Sequence, residues 1–191
     1  SSGKQGYALA AEAVARGAHV TLVSTVDLAV PAGVAEVVAV ETAAEMHEAV
    51  QVRAVQADIV VMAAAVAEFR PVAVSPGKLK KDQGAPEIRL EPTVDILAGL
   101  GAAKRPGQIL VGFAAETSEL LSNAQAKLER KNLDLIVAND VSQPGVGFQH
   151  DTNAVTIVRR NDGPIPVGLT DKRQIAAAVL DAAVALLAPK H

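Results

Sequence analysis

The stretch "ADIVVMAAAV", Ala57 to Val66, is apolar at nine of its ten positions, with Asp58 the exception. A strand wet on one face alternates apolar and polar residues, whereas a strand covered on both faces is apolar throughout. Ile59–Val61 therefore reads as a fully buried strand, and Ile109–Val111 and Leu135–Val137 repeat its texture. Three such runs predict parallel strands sandwiched between helices.

Working outward, helical patterns fall between the strands. "YALAAEAVAR" (Tyr7 to Arg16) is alanine-rich and ends at Gly17, a suitable left-handed cap. "AHVTLVS" and "VAEVVAVE" read as strands, and the helix from Ala43 starts with Thr42 and Glu45 at capping-box spacing. Thr93 is expected to cap "VDILAGLGA", Ser118 a helix running to about Lys131, and Thr170 the last helix. "NAVTIVRR" alternates, "NDG" signals a turn and "PIPVGLT" returns, which predicts a terminal hairpin. The predicted fold class is α/β: a Rossmann-like, doubly wound, mainly parallel sheet with a C-terminal β-hairpin extension. Residues 1–191 are expected to form a single domain. Because "SSGKQG" opens inside a Ser/Gly loop with no strand before it, an upstream piece that includes a first strand is expected.

Composition removes several classes of function. There is no cysteine, so thiolate catalysis, thiolate metal sites and disulfides are excluded for this chain, which fits a cytoplasmic setting. A net charge of −3 and an aromatic content of 2% argue against nucleic-acid binding. No apolar run approaches the roughly 20 residues of a membrane span. His19, His47, His150 and His191 lack metal-ligand spacing.

In doubly wound folds ligands sit beyond the carboxyl ends of the strands, so the loops that follow them carry the chemistry. "KLKK" holds Lys78, Lys80 and Lys81; such a run is usually solvated surface, but a polyphosphate uses several lysines at once. "SSGKQG" leads into a helix start, which suits an anion. Lys127 and Lys131 share a helix face. Phe113 is a candidate to cover a base, though a core role is commoner. Glu68 and Asp95 are candidates for ribose or metal, and Asn139 and Asp140 for substrate, yet turns and caps use the same residues.

In order, "SSGKQGYALA", "AAAVAEFRP", "KLKK", "GFAAET", "KLERKNLDLIVANDVSQPGVGF" and "DTNAV" closely resemble phosphopantothenoylcysteine synthetase, the phosphopantothenate–cysteine ligase of coenzyme A biosynthesis. In bacteria this is usually the C-terminal part of a bifunctional protein. The resemblance spans nearly the whole chain and implies CTP-dependent ligation of 4′-phosphopantothenate and L-cysteine through an acyl-cytidylate. It implies Mg²⁺ held mainly through the CTP phosphates, with no protein metal ligand assigned. It also implies a homodimer, a fused flavin-dependent decarboxylase domain and no flavin in this domain. Lys78 and Asn139 are the expected catalytic residues. CTP is expected to contact Met62, Ala63, Ala64, Glu68, Lys78, Val94, Asp95, Ile96, Leu97, Phe113, Lys127 and Lys131. Ser1, Ser2 and Gly3 are expected to hold the substrate phosphate.

The chain departs from that pattern at Glu68, where Asp is usual, and at Val94, where proline is common. The family's upstream asparagine and glycine-rich turn do not occur in it. The alternatives are a nicotinamide-dependent Rossmann oxidoreductase, against which stands the lack of a G-x-G-x-x-G after a strand, and a nucleotide-binding module without catalysis.

Overall fold

A computed structural model of the chain describes residues 2–73, 77, 87–116, 119–140, 152–160 and 162–187. The elements run α1 (Lys4–Ala15), β1 (Thr21–Ser24), β2 (Glu36–Ala39), α2 (Ala43–Ala54), β3 (Ile59–Met62), β4 (Phe69–Pro71) and β5 (Leu90–Pro92). They continue with α3 (Ile96–Ala103), β6 (Ile109–Glu116), α4 (Leu120–Arg130), β7 (Leu135–Asp140), β8 (Thr152–Arg159), β9 (Ile165–Asp171) and α5 (Lys172–Val184).

The central sheet has the order β3-β6-β7-β8-β9. β3, β6 and β7 are parallel, as their apolar runs require, while β8 adds antiparallel to β7 and β9 to β8. The terminal hairpin is thus two strands of the sheet itself rather than an appendage. β1 and β2 form a separate parallel pair, and β4 with β5 an antiparallel ribbon.

Successive side chains of β7 alternate between two cores. Leu135 and Val137 join Ile109, Val111, Val155 and Ile157 beneath α1 and α5, through Leu9, Ile175, Ala176 and Val179. Ile136 and Ala138 join Leu110 and Val158 beneath α2, α3 and α4, through Met46, Ile96, Leu100, Ala124 and Leu128. All four β7 residues are fully buried. Burying an aliphatic side chain of Val, Leu or Ile size contributes about 1.5–3 kcal/mol, so this strand anchors both layers.

α1 and α5 are also joined along their exposed flank. Arg16 donates to Asp181 at 2.7 Å and to the Ala177 carbonyl at 3.2 Å, and Arg173 reaches Glu12 at 3.4 Å. The hydrogen bond from Arg16 is the main reason the Glu12 carboxyl sits below its ordinary range.

Helix starts follow the sequence in part. Thr42 and Glu45 form the expected capping box on α2. The expected caps Thr93 and Thr170 are corrected. Asp95, not Thr93, caps α3 by accepting from the Ala98 N–H at 3.0 Å, and the Thr93 hydroxyl donates to the Ala67 carbonyl instead. Asp171, not Thr170, caps α5, accepting from the Arg173 and Gln174 N–H groups at 2.9 and 2.8 Å. A carboxylate matches the positive helix end better than a hydroxyl does, which explains both choices. α4 begins after Glu119, in the left-handed region at φ 47°, with no side-chain cap; Ser118 lies outside the described residues. β6 runs on to Glu116, so most of "GFAAET" is strand. The β4–β5 ribbon was not legible in runs of only three residues.

One close approach fixes the spacing of α3 and α4. A Cβ on Gly101 would overlap the Lys131 carbonyl, and Asn132 Nδ2 donates to the Gly101 carbonyl at 2.9 Å. Gly101→Ala is expected to cost about 1–3 kcal/mol, the usual range for overpacking. A urea midpoint unchanged from the parent chain would contradict this contact.

Candidate functional site

A cleft of about 530 Å³ opens at the carboxyl ends of β3, β6 and β7. Its floor is Met62 to Ala64 at the end of β3, Phe113 to Ala115 on β6, and Asn139 on β7. One wall belongs to the α3–α4 side of the sheet: Val94 and Asp95 before α3, Ile96 and Leu97 in its first turn, and Lys127 and Lys131 on α4. Glu68 and Phe69 line the mouth. The opposite wall is the start of α1, with Ser2, Gly3, Gln5 and Gly6, together with Asn153 on β8 and Lys172 at the start of α5.

Every described residue of the catalytic, CTP and phosphate sets expected from the resemblance lines this one cleft, although they come from separate stretches of sequence. Lys78, with Lys80 and Lys81, and Ser1 lie outside the described residues.

The α3–α4 wall is organised by an ion pair. Lys131 Nζ sits 2.9 Å from Asp95 Oδ1 and 2.8 Å from Oδ2, with its side chain only 15% exposed. Lys131 follows the last residue of α4, where the helix dipole favours a cation, and Asp95 caps α3, where it favours an anion. Partial burial pushes the Asp95 carboxyl up, but the hydrogen bonds from Lys131 and the Ala98 N–H, with the nearby charges of Lys131 and Arg130, outweigh it and hold it below its ordinary value. Asp95 is thus a helix cap and a salt-bridge partner together, and the Lys131 charge is already matched.

The α1–α5 wall is shaped by backbone. Gly3 has φ 74°, and a Cβ there would overlap Val26. The Tyr7 hydroxyl donates to the Val26 carbonyl at 2.8 Å, pinning the helix start. No side chain caps α1. Asn153, only 2% exposed, lies where β8 and β9 shift register, an irregularity of the kind found beside functional sites. Its Oδ1 accepts from the Ala154 N–H at 3.1 Å.

Lys172, Asn153 and Gln5 were missed from the sequence. Two signals were present. Asn153 shares the phase of Val155 and Ile157, so a polar residue stood on an inward face. Lys172 is the first residue of a helix, where its charge opposes the dipole.

Residues 1–187 match the family described as the DNA/pantothenate metabolism flavoprotein C-terminal domain. The chain belongs to this family. Members similar to it include the coenzyme A biosynthesis bifunctional protein CoaBC of Bacillus subtilis, 47% identical over 187 residues, covering 97% of this chain and 46% of that protein. A cysteine/cysteine sulfinic acid decarboxylase of an unknown prokaryotic organism is 45% identical over 181 residues, covering 94% and 50%. The chain therefore spans about half the length of the curated relatives it matches. The crystal structure of the C-terminal domain of a CoaBC protein superposes with a TM-score of 0.78 at 40% identity, covering 95% of this chain and 81% of that one. The family expected from the motifs and its α/β fold are both borne out.

The Asp95–Lys131 pair yields a pH test. Since the folded Asp95 value is lowered, its stabilisation is complete above the unfolded value, about pH 3.9, and is lost as pH falls through the lowered folded value. Lys131→Met should move the Asp95 titration upward in carboxyl-resolved NMR. An unmoved titration would show that the pair does not hold the charge.

Proposed function

We propose that this chain carries the phosphopantothenate–cysteine ligase activity of coenzyme A biosynthesis, with CTP as the activating nucleotide. The observation that supports it is the single cleft in which a lysine-bearing wall faces a helix start across the carboxyl edge of the sheet. Such a cleft suits two anionic substrates brought end to end.

The reaction joins like charges. A carboxylate oxygen of 4′-phosphopantothenate attacks the α-phosphorus of CTP, the bond to the β-phosphate oxygen breaks, and pyrophosphate leaves. Cysteine's amine then attacks the acyl carbon, the bond to CMP breaks, and the nitrogen loses a proton as the amide forms. Catalysis must come from charge neutralisation and alignment. In this reading Lys127 and Lys131 face the triphosphate, and Asp95 presents its carboxylate to ribose hydroxyls while keeping Lys131 in place. Met62 to Ala64 and Phe113 flank the cytosine, and Val94, Ile96 and Leu97 the nucleoside. Glu68 reaches over the cleft mouth, about 1.5 Å further than an Asp would. Lys78 supplies the remaining charge at the reacting phosphate, and Asn139 orients the acyl group.

Among the described residues no group of three or more His, Asp or Glu side chains could hold a metal ion. In this reading Mg²⁺ arrives on the CTP phosphates, and no step is drawn through it. The homodimer belongs to the same reading: Phe69, Ile88 and Leu90, on and beside the β4–β5 ribbon, are more than half exposed and offer an apolar contact surface. So do a decarboxylase domain fused to this one and a cytoplasmic location. Among the described residues no helix is long and apolar enough to cross a membrane.

CTP should bind in calorimetry in preference to ATP and NADH, and Lys78→Gln should weaken it about 10-fold, the size of one charged hydrogen bond. Preferential NADH binding would favour an oxidoreductase and sink the ligase reading.

A further inference from the structure

We infer that Thr93 is a positioning residue for the nucleotide: its hydroxyl ties the loop that carries Glu68 to the loop that carries Asp95, and so holds the mouth of the cleft in register. The inference rests on the ligase reading and deepens it, giving a task to a hydroxyl that the sequence assigned to a helix cap.

Thr93 makes two bonds, and both go to the same loop. Its N–H donates to the Glu68 carbonyl at 2.9 Å, and its hydroxyl donates to the Ala67 carbonyl. The first continues the β4–β5 ladder one step past the Phe69–Pro92 pair, as any strand residue other than proline would in that place. The second belongs to the side chain and depends on the residue type. Valine keeps the shape and removes the donor.

Among the described residues little else fixes this edge of the cleft. β4 and β5 pair over three residues, and an isolated two-stranded ribbon is marginal in water. Phe69 and Leu90 are more than half exposed, so the ribbon gains little from burial, and the Arg70–Glu91 pair lies on the surface, where ion pairs contribute little. The ribbon's placement therefore rests on its base, where Ala67, Glu68, Thr93 and Asp95 all line the cleft. From Thr93 the constraint runs two residues on to Asp95, which is held in turn by the Ala98 N–H and by Lys131. One hydroxyl thus links the Glu68 side of the mouth to the wall anchored by the Asp95–Lys131 pair. A ribbon so exposed can open without unfolding the core, so the loss of this bond falls on local opening and on any ligand that needs both loops in place.

Calorimetry with CTP and amide hydrogen exchange test this on the whole chain, in the parent, Thr93→Val and Thr93→Ser. Thr93→Val should weaken CTP about 5-fold, the size of one neutral hydrogen bond, while Thr93→Ser, which keeps the donor, should stay within about 2-fold of the parent. Amides between residues 68 and 72 and between 89 and 93 should exchange faster in Thr93→Val alone, with β6, β7 and the urea midpoint unmoved. Unchanged CTP affinity in Thr93→Val overturns the inference and leaves the ligase reading standing. Thr93→Ser as weak as Thr93→Val overturns the role of the hydroxyl. Weaker binding with unchanged ribbon exchange makes Thr93 a direct contact, and a lowered urea midpoint without faster ribbon exchange makes it a structural residue; either overturns positioning. A parent chain that does not bind CTP overturns the ligase reading and this inference with it.

Discussion

Strand β7 has no wet face, and the rest of the molecule is arranged around that constraint. Leu135 to Ala138 are fully buried, so each face of the sheet needs its own helical layer, and this strand, with β3, β6 and β8, gives side chains to both cores. The strand's carboxyl end then emerges where neither layer covers it. Asn139 is the first polar residue of the run, and it stands at the floor of the cleft because the apolar sequence ends there. Fold and site share a cause: packing on both faces pushes chemistry to the strand ends.

The two walls differ in how they hold charge. On the α3–α4 side, Lys131 is matched by Asp95, and the Gly101–Lys131 contact keeps the helices close enough for the match. On the α1–α5 side the design uses backbone dipoles, a left-handed glycine and a buried lysine. On the first wall Lys131 is paired before a ligand arrives, whereas Gln5 Oε1 on the second wall and Asn139 Oδ1 on the floor have no hydrogen-bond partner among the described residues.

Continuous apolar runs made the parallel strands legible, and the family motifs collected Met62, Asp95, Phe113, Lys127 and Lys131 into what proved to be one cleft. Caps were less legible, because Thr93 with Asp95 and Thr170 with Asp171 each offer two capping residues within three positions, and the choice is made by helix phase and charge. Lys172 was hidden for a different reason. The one local signal for the lysine inside "TDKRQ" is its place in the first turn of a helix, and such a charge reads as solvated until the hairpin turns α5 back toward the sheet edge.

The braces between α1 and α5 also bear on the cleft. Arg16 grips Asp181 and the Ala177 carbonyl, Arg173 reaches Glu12, and Gln5 holds the Lys172 carbonyl, so the paired helices are stitched at several levels along their length. Each helix therefore steadies the other against the sheet, so a substitution that loosens α5 disturbs the start of α1 at the cleft as well.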